Sequence, residues 1–217
     1  MILDVDVFLF DFDGTLIEPS IDFDVMYQRV RHMAHQFGAY EDVMERMHIL
    51  EIVERAGILL RDDHDTRDEF LERAHAAILD VEMEAAERAK VYPGVPEMLK
   101  ELADRGFGVA IVTRNSRAAV TRILQRFSLY HDVLLTRDDV RHVKPDPCHL
   151  LRALAHFPEG ERRAAMCGDH PMDVIAGKRI GALTVGVLTP NMTKERFKGV
   201  DPDLIVSRPS EILKYVD

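Results

Sequence analysis

Short apolar runs recur along this chain, and nearly every one is followed by a segment with helical spacing. The runs lie at residues 5–10, 107–112, 132–135, 164–167 and 183–187. A strand that faces solvent on one side alternates apolar and polar residues. A run that is apolar at nearly every position needs cover on both faces. The helical patterns at 95–105, 116–127, 147–156, 171–180 and 209–215 supply that cover. Strands alternating with helices in this way predict an α/β fold, a doubly wound parallel sheet.

One connection is out of proportion. A crossover between parallel strands needs about a dozen residues. After the first run the chain takes far longer to return. Helical patterns at 22–37, 40–56 and 66–89 fill the gap. We read residues 16–90 as an inserted helical cap domain, and residues 1–15 with 91–217 as the core. Tyr92-Pro93-Gly94 marks the return, since proline and glycine punctuate structure.

Charge narrows the partners. The 217 residues carry a formal net charge of −10. No basic field is available to neutralise nucleic-acid phosphates, so no nucleic-acid partner is expected. The apolar N-terminal run is short and interrupted by Asp4 and Asp6, unlike a signal peptide or a membrane span. A cytoplasmic location follows as the expectation, with Cys148 and Cys167 as free thiols and a monomer or homodimer. An acidic protein that takes an anionic substrate must then create positive potential locally.

In open parallel sheets, ligands bind at the carboxyl ends of the strands. The first run ends in Asp11-Phe12-Asp13-Gly14-Thr15. Side chains two apart on a strand share a face, so Asp11 and Asp13 project together while Phe12 points into packing. Two carboxylates 4 Å apart repel by about 4 kcal/mol at an effective dielectric near 20, so a cation or a shared proton must compensate. The bland alternative is a charged turn. The second run ends in Thr113-Arg114-Asn115-Ser116, an anion site at a helix start or merely turn and cap residues. Lys144 stands before Pro145 in the loop after the third run, which holds its backbone out of the α region. Alone it reads as a surface lysine. The fourth run ends in Gly168-Asp169-His170-Pro171-Met172-Asp173, where Asp169 could be a helix cap and Asp173 a first-turn acid. Together, four strand ends on one edge carry acids, a hydroxyl, a lysine and acids. Oxygen-rich acidic sites suit Mg²⁺.

The order DxDGT, a strand ending in Thr, Lys-Pro and GDxxxD resembles the haloacid dehalogenase superfamily, nearest its phosphoglycolate-phosphatase-like branch. That resemblance implies a Rossmann-like core and Mg²⁺-dependent hydrolysis of a small phosphorylated metabolite. It assigns Asp11 as nucleophile and Asp13 as the acid that protonates the leaving group and then activates water. It places Thr113 and Lys144 around the phosphoryl group; the neighbouring Arg114 and Asn115 are further candidate phosphate-binding residues, Arg114 either touching substrate or facing solvent. Mg²⁺ would be held by the Asp11 carboxylate, the Asp13 backbone carbonyl and Asp169, with Asp173 supporting metal waters or Lys144. Arg114 and the His170-Pro171 spacer depart from the family's usual residues. Asp13 favours phosphate chemistry over dehalogenation, which has no alkoxide to protonate. No lysine occurs between Leu16 and Ala89, which disfavours a phosphonatase. A phosphosugar mutase or, less favoured, a non-catalytic regulator that binds a phospho-ligand shares the remaining features. The pair His32 and His35 and the methionines Met26, Met33, Met44 and Met47 read as ordinary helix residues.

Overall fold

The protein is described by a computed structural model covering residues 2–158, 160, 163–189 and 193–217. The chain forms two compact units, Met1–Ser20 with Ala89–Asp217 and, separately, Ile21–Arg88. The strands are β1 (Val7–Phe10), β2 (Gly108–Val112), β3 (Val133–Leu135), β4 (Ala164–Gly168), β5 (Leu183–Val187) and β6 (Leu204–Val206). The α-helices are α1 (Phe23–Gln36), α2 (Ile49–Leu59), α3 (His64–Arg88), α4 (Val95–Asp104), α5 (Arg117–Phe127), α6 (Pro147–Leu154) and α7 (Pro171–Arg179).

All strand pairs are parallel, in the order β3-β2-β1-β4-β5-β6. The winding reverses beside β1, so the crevice at its carboxyl end is the expected ligand position. Each apolar run is a strand, and β1 is buried along its whole length. Val7 and Leu9 pack with Leu150 and Ala153 of α6 and with Ala176 of α7. On the opposite face Phe8 and Phe10 stack at 5.9 Å, and Phe107 meets Phe8 edge-on at 5.4 Å. Burying each such ring contributes about 1.5–3 kcal/mol. The Rossmann-like α/β architecture is therefore the one observed.

Two local features of the sheet unit differ from the sequence reading. The strand β6 extends the sheet beyond β5, and its three residues are too few to show a period. Residues 209–215 form a 3₁₀ helix rather than an α-helix. Its last carbonyl, on Tyr215, accepts from the Leu3 N–H at 2.7 Å.

Where the chain leaves the sheet unit, its two crossings are tied together. The Glu18 N–H donates to the Lys90 carbonyl (2.8 Å) and the Tyr92 N–H to the Leu16 carbonyl (3.2 Å), with Ile17 bridged to Val91.

The Ile21–Arg88 unit has its own core, formed by Met26, Val30, Met44, Ile52, Phe70 and Ile78. Met33 and Met47 pack at its margin. Residues 40–56 are not one helix. A 3₁₀ turn at Asp42–Arg46 ends in extended Met47 and His48, and α2 starts anew. Glu51 accepts the His48 N–H at 3.2 Å, a local restart signal hidden inside a continuous apolar period. His35 stacks on Tyr40. Neither His32 nor His35 joins a group of possible metal ligands among the described residues. Within the described residues, no helix is long and apolar enough to cross a membrane.

Candidate active site

The chain leaves β1 with its alternation intact. Phe12 is fully buried, and Asp11 and Asp13 fall on the other parity. The Asp11 N–H donates to the Cys167 carbonyl at 2.9 Å, one further rung between β1 and β4. The backbone then turns sharply. The N–H groups of Thr15, Leu16 and Ile17 converge on the Phe12 carbonyl at 3.2, 2.8 and 3.1 Å. Gly14 permits this turn with φ +77°, and a Cβ there would stand 2.6 Å from Asp169 Oδ2. A Cβ on Gly168 would stand 2.1 Å from Asp173 Oδ2. The two glycines thus leave the space that two acids occupy.

Lys144 is not a surface residue. It is 1% exposed, donates to Asp11 Oδ1 at 2.8 Å and lies 2.8 Å from Asp173 Oδ1. The Lys144–Pro145 peptide is cis. Burial pulls the ammonium toward neutrality, but the attraction of Asp11 and Asp173 outweighs it and holds its pKa above the ordinary value. Asp173 has a second task. Its Oδ2 accepts the His170 N–H at 3.1 Å, so it is both a first-turn acid of α7 and a lysine partner. His170, not Asp169, caps that helix.

Asp169 is therefore available to the crevice. Arg196 Nη2 lies 3.7 Å away. Burial, reinforced by Asp11 and Asp173, pushes the Asp169 carboxyl up to about 8 against the pull of Arg196 and Lys144. Burial also raises Asp11, with Lys144 opposing. These directions describe one situation: three crowded carboxylates share one buried ammonium.

The 113–115 turn lies beside this group, because β1 and β2 pair Phe10 with Ile111. Thr113 is 2% exposed, and its Oγ1 accepts from the Asn115 N–H at 3.2 Å. The Asn115 amide donates to Asp13 Oδ2, and the Arg114 guanidinium contacts the Met172 sulfur. Ser116 caps α5 by accepting from Ala119 N at 3.3 Å. The turn and cap roles are thus real, and they leave the Thr113 N–H bound to the Leu135 carbonyl at 2.9 Å.

The structure gathers Asp11, Lys144, Asp169 and Asp173 into one cluster and pairs Asp13 with Asn115. Arg196 joins this neighbourhood without any motif to announce it, Met172 from a spacer position of GDxxxD, and Tyr92 from the return segment. Tyr92 sat in a proline-glycine return that reads only as punctuation.

The donor set fits a hard cation. Carboxylate oxygens of Asp11, Asp169 and Asp173 lie within 4.8 Å of one another, the one such group among the described residues. Their charge exceeds what Lys144 offsets. The Tyr92 hydroxyl is buried without a partner, and burial plus the charge of Asp169 pushes it to about 12. All-oxygen ligands and an orphan donor suit Mg²⁺ with its waters.

Comparison with known proteins agrees with this geometry. Pyrophosphatase PpaX of Anoxybacillus flavithermus is 29% identical over 221 residues, covering 99% of this chain and 98% of that one. Phosphoglycolate phosphatase of Aquifex aeolicus is 28% identical over 216 residues, covering 97% and 96%. A solved hydrolase from Pseudomonas syringae superposes with a TM-score of 0.67 at 23% identity, covering 97% of each chain. Residues 8–187 match the family described as haloacid dehalogenase-like hydrolase. The acid cluster, β2 to β5 and all of β1 but Val7 fall within the matched span, and the chain belongs to the haloacid dehalogenase-like hydrolases.

Proposed function

We propose that this protein is a Mg²⁺-dependent phosphatase acting on a small phosphate monoester. The observation that carries this reading is the buried Lys144 bridging Asp11 and Asp173 at 2.8 Å beside Asp169. That cluster offers a nucleophile and positive potential in one place, inside an acidic protein. The names of the similar proteins, a pyrophosphatase and a phosphoglycolate phosphatase, support the same class.

In the first step an Asp11 oxygen attacks phosphorus and the ester P–O bond breaks. Asp13 gives its proton to the departing oxygen. In the second step Asp13 takes a proton from water, the water oxygen attacks phosphorus, and the Asp11 carboxylate is released with inorganic phosphate. Lys144 holds Asp11 in place and offsets phosphoryl charge, and Thr113 orients the phosphoryl oxygens. Asp11, Asp169 and the Asp13 carbonyl would hold Mg²⁺, which stabilises charge on phosphoryl oxygens when bound. Asp173 fixes Lys144.

Phosphate release should be measured across a panel that includes p-nitrophenyl phosphate, 2-phosphoglycolate, inorganic pyrophosphate and sugar phosphates. Release that stops with a chelator and returns with Mg²⁺ is the expected result. Isomerised phosphosugar without release would make the protein a mutase instead, and chelator-resistant release would overturn the ligand set.

The raised Asp169 carboxyl gives a separate prediction for the metal-free protein. The folded state keeps a proton that the unfolded chain sheds near pH 4. Stability is fully present below that pH and falls as pH rises toward about 8. A bound cation removes this penalty and stabilises by mass action. Mg²⁺ should therefore raise the melting temperature more at pH 8 than at pH 5. Equal shifts at both would refute the coupling.

A further inference from the structure

His149 is fully buried in the first turn of α6. Its Nδ1 accepts the Lys144 backbone N–H at 3.3 Å. We propose that His149 is a positioning residue that fixes the backbone of Lys144 and, through it, the spacing of Asp11 and Asp173. This rests on the phosphatase reading above.

The Lys144 N–H lies in a loop outside both the sheet and the helices, and Lys144 is 1% exposed. A buried N–H without an acceptor costs about 1–3 kcal/mol. The turn that spans Lys144 and Pro145 closes from the Asp146 N–H to the Val143 carbonyl at 3.0 Å, and the Lys144 N–H takes no part in it. A side chain from the following helix supplies its acceptor. His149 does so from a face shared with Leu150, Ala153 and Leu154, which pack against the sheet. The acceptor is thereby anchored to the sheet that carries Asp11.

The ring's protonation state suits this task. An Nδ1 that accepts must carry no proton, so the proton of the neutral ring is on Nε2. Burial, with the nearby Lys144 ammonium, pushes the imidazole down to about 3, against the carbonyls of Leu135 and Thr136. The ring stays neutral across the working range, and Nδ1 remains an acceptor throughout. Nε2 is buried on the side of the Leu135 and Thr136 carbonyls without completing a hydrogen bond to them.

The consequence is catalytic because Lys144 reaches two acids at once. Misplacing a reacting group by about 1 Å can cost a hundredfold in rate. His149→Leu keeps the volume and removes the acceptor. It should lower kcat about ten- to a hundredfold with little change in KM, and speed hydrogen exchange at the Lys144 amide. In His149→Asn, the amide oxygen stands where Nδ1 stands now, so kcat and slow exchange should largely return. His149→Gln places its oxygen toward the Nε2 side and should resemble the leucine variant, which covers the case in which leucine does not fold. A folded leucine or glutamine variant with wild-type kcat and an unchanged Lys144 amide overturns the proposal. Failure of the wild-type protein to release phosphate from any ester instead sinks the phosphatase reading.

Discussion

Asp11→Asn should reduce turnover of p-nitrophenyl phosphate by about a thousandfold or more, the scale seen when a covalent nucleophile is removed. The substitution is nearly isosteric. Its amide oxygen can still accept from Lys144, which keeps Asp173 as a charged partner. The protein should therefore fold, and its metal-free form should be at least as stable as the wild type, because three crowded acids become two. Activity within tenfold of wild type would remove Asp11 from the chemistry. Asp13→Asn sharpens the test. An aryl leaving group needs little protonation, so the first step should survive while attack by water slows. Radiolabelled phosphoenzyme should accumulate in Asp13→Asn and be absent in Asp11→Asn.

Lys144→Met should be the most damaging single change to stability. It removes the ammonium 2.8 Å from both Asp11 and Asp173 and leaves two buried carboxylates facing one another. Breaking a buried ion pair by removing one partner costs about 3–5 kcal/mol. For a chain of this size that is a melting-temperature loss of about 6–20 °C. The loss should be smaller at pH 5 than at pH 8, since the acids can neutralise by taking up protons. Turnover should fall with it. Thermal denaturation at both pH values decides the matter. A small, pH-independent change would mean that Lys144 is not the counterion of this cluster.

The physics explains what could be read from the chain. The five runs are legible because a strand covered on both faces must be apolar at almost every position. The sixth strand, Leu204–Val206, has no room to show a pattern. The restart of helix at Ile49 is hidden because apolar spacing continues across Met47 and His48 while the backbone does not. Site chemistry is legible where it sits at strand ends, since topology brings those ends to one edge. Asp11 and Lys144 are 133 residues apart, yet each stands beside a recognisable boundary. Arg196 and His149 are different. Their relation to the cluster exists only in three dimensions, and neither has a spacing that sets it apart from an ordinary surface or core residue. A first-turn acid of the helix and a partner of Lys144 are rival readings of Asp173 in the sequence. Its two oxygens serve both.

The short ribbon of residues 16–18 against 90–92 has an evolutionary consequence. Seen from the sheet, the long intervening segment is a hairpin loop whose ends are already held together. Loop-closure entropy depends weakly on length, and here the end separation is fixed by the ribbon itself. Insertions, deletions and wholesale exchange of that segment therefore place little burden on the sheet. A change of length or sequence in that segment therefore need not disturb the strand ends that hold Asp11 and Asp13.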